Sequence, residues 1–214
     1  MTRLSDEDVI GLADERILFY HPLGGLDQSA RLLSAMAAIK HQPVRMHFLR
    51  VALGSEATAI HAKKDAKAAF FGGYFHDIGK ILQDPGLFTG RNITPEEYAI
   101  IKNHAVDGHR ILKDLHPFTA GFSGFHHQVY KNGYGTLLGD LDPNWDLATV
   151  KKQIDLVTIV SIHDFRDAFT YRDSKILDGS DVKSRDLLEM LYEKYPDDHL
   201  YVDFVLGDCE RIGI

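Results

Sequence analysis

Twelve histidines and a single cysteine stand in a chain of 214 residues, and several of those histidines lie beside aspartate. In chain order they are His47, the adjacent pair His76-Asp77, His104, the adjacent pair His126-His127, and Asp164. With almost no thiol on offer, metal chemistry here rests on imidazole and carboxylate. That donor set suits Fe, Mn or Zn better than Mg or Ca, which prefer all-oxygen shells. One cysteine builds neither an internal disulfide nor a multi-thiolate zinc site, so Cys209 reads as a small hydrophobe near the end of the fold.

Helix signals position these residues, and strand signals are scarce. Ser5 with Asp8 three residues on predicts the cap of a helix running to about residue 20, broken by Pro22 and two glycines. A second helix is predicted over 28–41, ending before Pro43. A third, over 44–62, carries His47, with Val51, Leu53, Ala57 and Ile60 at rough helical spacing. A fourth, over 65–81, is apolar on most sides, so it belongs at the centre of a bundle with His76-Asp77 near its end. Thr94-Pro95-Glu96-Glu97 combines a capping threonine, a first-turn proline and a capping-box glutamate, starting a helix to about 115 that carries His104. His116-Pro117 restarts the chain into a helix to about 130 holding His126-His127, followed by a polar loop over 131–144. A long helix over 147–171 holds Asp164, and short helices over 182–195 and 198–211 close the chain.

Neighbouring helical residues project about 100° apart, so an adjacent His-Asp or His-His pair reaches two sides of one cluster. Buried helices that each present one or two ligands inward are how bundles build dinuclear sites. The expected fold is therefore all-α, a single helical bundle with a buried dinuclear metal site. No internal linker is long enough to divide the chain.

Composition narrows the remaining classes. Apolar residues make up 44% and charged residues 26%, close to the globular norm. A net charge of −7 argues against a duplex nucleic-acid binder, which needs cationic surface to displace counterions. No apolar run approaches the roughly 18–20 residues of a membrane helix. The acidic start lacks the basic and then apolar character of a signal peptide, so a cytoplasmic protein is expected.

Taken in order, His47, His76-Asp77 and Asp164 resemble the HD superfamily of metal-dependent phosphohydrolases. The fuller pattern resembles its HD-GYP branch, the bacterial cyclic di-GMP phosphodiesterases. His47-Phe-Leu-Arg-Val-Ala is similar to the branch's first-histidine helix, and Phe75-His76-Asp77-Ile78-Gly79-Lys80-Ile81 to its signature. His104-Ala-Val-Asp-Gly108, the His126-His127 pair and Asp164-Phe-Arg-Asp167-Ala168 are similar to its later motifs. The resemblance covers roughly 44–175 and implies a core there, with an N-terminal helical segment over 1–43 and C-terminal helices over 176–214 packing on it. The resemblance implies two divalent ions, Fe or Mn favoured with Zn or others open, and Asp77 bridging them. One ion would take His47, His76 and Asp164, and the other His104, His126 and His127. It further implies that Lys80 faces the phosphate, as a catalytic partner of Asp77, and that Asp167 hydrogen-bonds a ligand. Read without the resemblance, the plain alternative for Lys80 is a solvated cation in a last helical turn, favoured by the helix dipole.

The chain also departs from the branch. Gln128 follows the histidine pair where the branch has Glu, and Lys131-Asn132-Gly133-Tyr134-Gly135 replaces Asp-Gly-x-Gly-Tyr-Pro with one residue fewer. Arg172-Asp173-Ser174 stands where Arg-Pro-Tyr is usual, and Pro43 where members with a third metal carry Glu. Two metals are expected rather than three, with Tyr134 and Arg172 as substrate contacts. Tyr130, Tyr134 and Trp145 would stack a base or anchor the loop. The remaining histidines have no motif partner and read as structural or exposed, His109 as a surface residue.

The expected activity is that of a metal-dependent phosphohydrolase. Most directly it is a phosphodiesterase that attacks a cyclic dinucleotide or related nucleotide phosphoester with a metal-activated water. A nucleotidase-type phosphomonoesterase, an HD-domain diiron oxygenase and a metal-bound non-catalytic signalling module are the alternatives. The His126-His127 pair speaks against the oxygenase, and Lys80 speaks for phosphate. The partner is then a phosphoester small molecule, with no duplex nucleic acid and no membrane. A homodimer is open.

Overall fold

Capping residues set where the helices begin. In the computed structural model, which describes residues 3–21, 25–137, 141–171 and 186–214, the first is α1 (Asp6–Tyr20). The Ser5 hydroxyl accepts from the Asp8 amide at 3.2 Å and the Asp8 carboxylate accepts from the Ser5 amide at 3.1 Å, the capping box read from the sequence. Then come α2 (Leu26–Lys40), α3 (Gln42–His61) and α4 (Ala66–Phe75), followed by α5 (Pro95–Leu112) and α6 (Pro117–Phe125). The chain closes with α7 (Leu147–Tyr171), α8 (Leu187–Lys194) and α9 (His199–Ile212). Thr94 and Glu97 form the second expected box at the start of α5. Among the described residues there is no β-strand, and the fold is the expected all-α bundle. No described helix is long and apolar enough to cross a membrane.

α3 runs through the middle, buried on nearly every side, against α1, α2, α4, α7 and α9. Its approach to α4 is close because Gly73 has no side chain. A Cβ there would lie 2.8 Å from the Ala52 Cα. Phe48, Phe70, Tyr74 and Phe75 fill the space between these helices, and the same apolar cluster takes in Val9 and Ile17 of α1, Leu33 of α2 and Val205 of α9. A second cluster, with Val51, Phe122, Phe125, Leu156 and Ile159, joins α3, α6 and α7. The polar centre is bracketed by these apolar layers.

Two helices end earlier than their sequence predicts. α4 stops at Phe75 instead of running to 81, and a 3₁₀ turn (Ile78–Leu82) follows. In a continuous helix the His76 carbonyl would accept from the Lys80 amide. Here it accepts from the Ser123 hydroxyl at 2.8 Å, while the Lys80 amide donates to the Asp77 carbonyl at 2.9 Å. α6 likewise stops at Phe125 instead of 130. The Gly124 carbonyl, which the Gln128 amide would have used, accepts from Thr136 at 3.0 Å, and the Gln128 amide donates to Phe125 at 2.7 Å. In both cases a neighbouring segment captures the carbonyl that the next helical turn needed.

Candidate metal centre

The two early helix ends and the three longer helices around them converge on one point. His47 comes from α3, His76 and Asp77 from the end of α4, His104 from α5, His126 and His127 from the end of α6, and Asp164 from α7. The structure thus brings together every residue that the sequence reading set there as a ligand. His76, Asp77 and His126 are fully buried and His47 and His104 are 1% exposed, whereas Asp164 is 6% and His127 9% exposed. The centre is least covered on the Asp164 and His127 side.

Three of the rings are oriented by the same local device. The Nδ1–H of His76 donates to the Gly73 carbonyl at 2.6 Å, that of His104 to Ile101 at 2.6 Å, and that of His126 to Ser123 at 2.9 Å. Each acceptor lies three residues back in the ring's own helix. A carbonyl only accepts, so the proton sits on Nδ1 and each Nε2 presents a bare lone pair to the centre. His47 is held the same way by a carboxylate. Its Nδ1 lies 2.7 Å from Asp167 Oδ2, and Asp167 is itself gripped by Arg50 through Nε at 2.5 Å and Nη2 at 3.0 Å. The Arg50 guanidinium stacks at 3.7 Å over the Tyr171 ring. Asp167 thus hydrogen-bonds His47, one of the residues that the resemblance names as a ligand. His127 Nδ1 lies 3.0 Å from the Tyr130 hydroxyl, and Tyr134 stacks on the His127 ring with centroids 4.2 Å apart.

The result is acceptors facing acceptors. His47 Nε2 and His76 Nε2 are 3.3 Å apart, as are His104 Nε2 and His126 Nε2. His47 Nε2 is 3.0 Å from Asp164 Oδ1 and 3.2 Å from Asp77 Oδ2. On the other side Asp77 Oδ1 is 3.2 Å from His104 Nε2 and 3.9 Å from His126 Nε2, and forms no hydrogen bond despite its burial. Buried carboxylate oxygens are rarely left this way without a cation. Donors on bonds of about 2.0–2.1 Å to one ion lie about 2.9–3.4 Å apart in octahedral or tetrahedral shells, which is the spacing of most of these contacts. The donors fall into two groups that could each hold an ion: His47, His76, Asp77 and Asp164 in one, and His104, His126 and His127 in the other. The donor chemistry fits.

Protonation fits as well. Burial, with His76 alongside, pushes His126 down to about 3. Burial also lowers His104, reinforced by Lys80, and holds His127 well below its ordinary value, reinforced by His126. These imidazoles are neutral near pH 7, the ligating form. For Asp77 burial works to raise the carboxyl, yet the Lys80 ammonium beside it holds it well below the usual range. Asp164 is also held well below its usual range against burial, with His47 and His76 alongside.

Lys80 is not the solvated cation of the plain reading. It is 2% exposed and its ammonium pairs with Asp77 Oδ2. Gly79 makes room for that turn, because a Cβ there would come 2.1 Å from the His104 carbonyl oxygen. His109 is half-buried rather than on the surface, its Nδ1–H donating to the Ala120 carbonyl at 3.2 Å. Trp145 packs on Phe118, away from the donors. Arg172 lies outside the described residues. The sequence reading overlooked Tyr98, which lies beside Tyr134, and Lys194, which packs on Tyr130. Tyr98 is signalled only by its place on α5 six residues before His104, and Lys194 by no local motif.

The family model of the HD domain matches residues 44–167, more than half of the chain. The chain belongs to the HD domain family. Among solved structures it is similar to the HD domain of the L. monocytogenes phosphodiesterase PgpH in complex with cyclic-di-AMP, over 85% of each chain at 24% identity and a TM-score of 0.49. No curated protein matches it. Family and donor clusters together support a metal-dependent hydrolase.

Proposed function

We propose that this chain is a phosphodiesterase that acts on a cyclic dinucleotide or a related nucleotide phosphoester with two divalent ions. The observation that carries the reading is Asp77, whose two carboxylate oxygens face separate histidine groups: His47 and His76 through Oδ2, His104 and His126 through Oδ1. His47, His76 and Asp164 would hold one ion and His104, His126 and His127 the other, with Asp77 between them. Ions so placed supply Lewis acidity at phosphoryl oxygens and lower the pKa of the attacking water.

The chain's own groups do the rest. The backbone-anchored rings of His76, His104 and His126 keep the donors fixed, so little reorganisation is needed as charge develops. Lys80, buried beside Asp77, brings a positive charge to a phosphoryl oxygen and stands ready to protonate the leaving oxygen. Tyr134, flat against His127, offers a ring face to a base at the least covered side.

Elemental analysis and turnover of bis(p-nitrophenyl) phosphate and cyclic dinucleotides test the reading. Two metals per chain and diester cleavage are expected, with both lost in Asp77→Ala. Turnover of nucleoside monophosphates alone would assign a phosphomonoesterase, and a metal-free protein without turnover would end the proposal.

A further inference from the structure

α8 presents a lysine on its inward face. Leu191 is fully buried, and Lys194 follows one turn later on the same side, next to Tyr195 at 1% exposure. The Lys194 ammonium lies 3.3 Å from the centroid of the Tyr130 ring and 4.8 Å from that of Phe165. Among the described residues no carboxylate forms an ion pair with it. Burial lowers its pKa to about 8 while the charge of Asp164 works against that shift, so it is charged near neutral pH. A half-buried ammonium held by ring faces alone costs desolvation that a solvent-facing lysine avoids.

Its surroundings give that cost a purpose. The Tyr130 hydroxyl reaches His127 Nδ1 at 3.0 Å, and Phe165 is the residue after Asp164. His127 and Asp164 are the two donors least covered by protein. Tyr134 stacks on His127, so the rings of Tyr130 and Tyr134 and the Lys194 ammonium all lie on this less covered side of the centre. The ions and Lys80 serve the phosphate under attack, so a cation at the rim would serve a different anionic group.

We propose that Lys194 is a substrate-specificity residue that binds a second phosphate, beyond the one being cleaved, on a nucleotide held at the rim. It is contributed by α8, outside the segment matched by the HD family model. The assignment rests on the phosphoester reading above and adds to it that the preferred substrate carries at least two phosphates.

The test compares wild type, Lys194→Met and Lys194→Arg, each loaded with Mn. Methionine keeps the apolar stem against Tyr130, and arginine keeps the charge. In titration calorimetry wild type is expected to bind adenosine 5′-(α,β-methylene)diphosphate about tenfold more tightly than AMP, the scale of one ion contact. Lys194→Met should bind the two nucleotides equally, and Lys194→Arg should retain most of the preference. Metal content, and kcat and KM for bis(p-nitrophenyl) phosphate, which has one phosphate, should be unchanged in both variants. Diester cleavage by wild type without a diphosphate preference, or a preference that survives in Lys194→Met, overturns the Lys194 assignment alone. Absence of both cleavage and nucleotide binding in wild type overturns the phosphodiesterase reading and this assignment with it.

Discussion

A buried imidazole is useful as a ligand only if its free nitrogen points the right way, and at this centre the partner of Nδ1 decides that. For His47 the partner is Asp167, whose carboxyl is held at about 2 because the His47 hydrogen bond and Arg50 outweigh the effect of burial, which works to raise it. Asp167 therefore stays ionised well into the acid range and keeps the proton of His47 on Nδ1. Asp167→Asn retains the shape but removes the charge that fixes the ring. Metal stoichiometry should remain, while affinity falls by about 10- to 100-fold, as a competition titration with a fluorescent chelator would read. An unchanged affinity would mean that Asp167 serves the fold and not the ligand. The place of His47 at the cluster was legible from the His47-Phe-Leu-Arg-Val-Ala pattern. The grip of Arg50 on Asp167 was not, since it joins residues 117 positions apart.

At the scale of elements, caps were the most readable feature and helix ends the least. Ser5-Asp8 and Thr94-Glu97 are local, so their signal lies within one turn of sequence. The ends of α4 and α6 are set by Ser123 and Thr136, hydrogen-bond partners that no local window contains. The same turn makes Gly79 a sensitive position. Gly79→Ala would drive a methyl into the His104 carbonyl, and a loss of about 1–3 kcal/mol together with weaker metal binding is expected in denaturant titrations and metal analysis. Gly11→Ala, on the exposed side of α1 with nothing within 4 Å, should instead stabilise by about 0.5–1 kcal/mol. Glu97 adds a pH dependence to α5. Arg91 and the Thr94 amide lower its carboxyl to about 2 from an ordinary 4.5. A lowered carboxylate stabilises above its unfolded pKa, and that support disappears as pH falls from about 4.5 through 2. Amide exchange at the start of α5 should quicken over that window in wild type and show a flatter dependence in Glu97→Gln.

Across the whole molecule the centre lies between apolar layers to which α1, α2 and α9 also contribute, so the fold encloses a set of facing acceptors. Such an arrangement gains stability from any cation that binds only the folded state. At a free concentration of 100 times Kd the gain is about 2.7 kcal/mol, which for a chain of this size is on the order of 5–10 °C in Tm. Chelation should lower Tm by that amount in scanning fluorimetry and added Mn should restore it, whereas an indifferent Tm would argue that the acceptors are satisfied without an ion. The net charge of −7 is a poor guide to what binds, because the chemistry depends on the local field at the donors. The anchoring of His76, His104 and His126 to carbonyls of their own helices also governs traffic. Those rings swing away only if a helical turn opens, so they act as fixed walls. His127 and Asp164, on the less covered side, would be the door for an ion that binds here. An ion's residence time there would then follow the opening of the short return from Gly133 to Thr136, whose amides bond the carbonyls of Gly124, His127 and Tyr130.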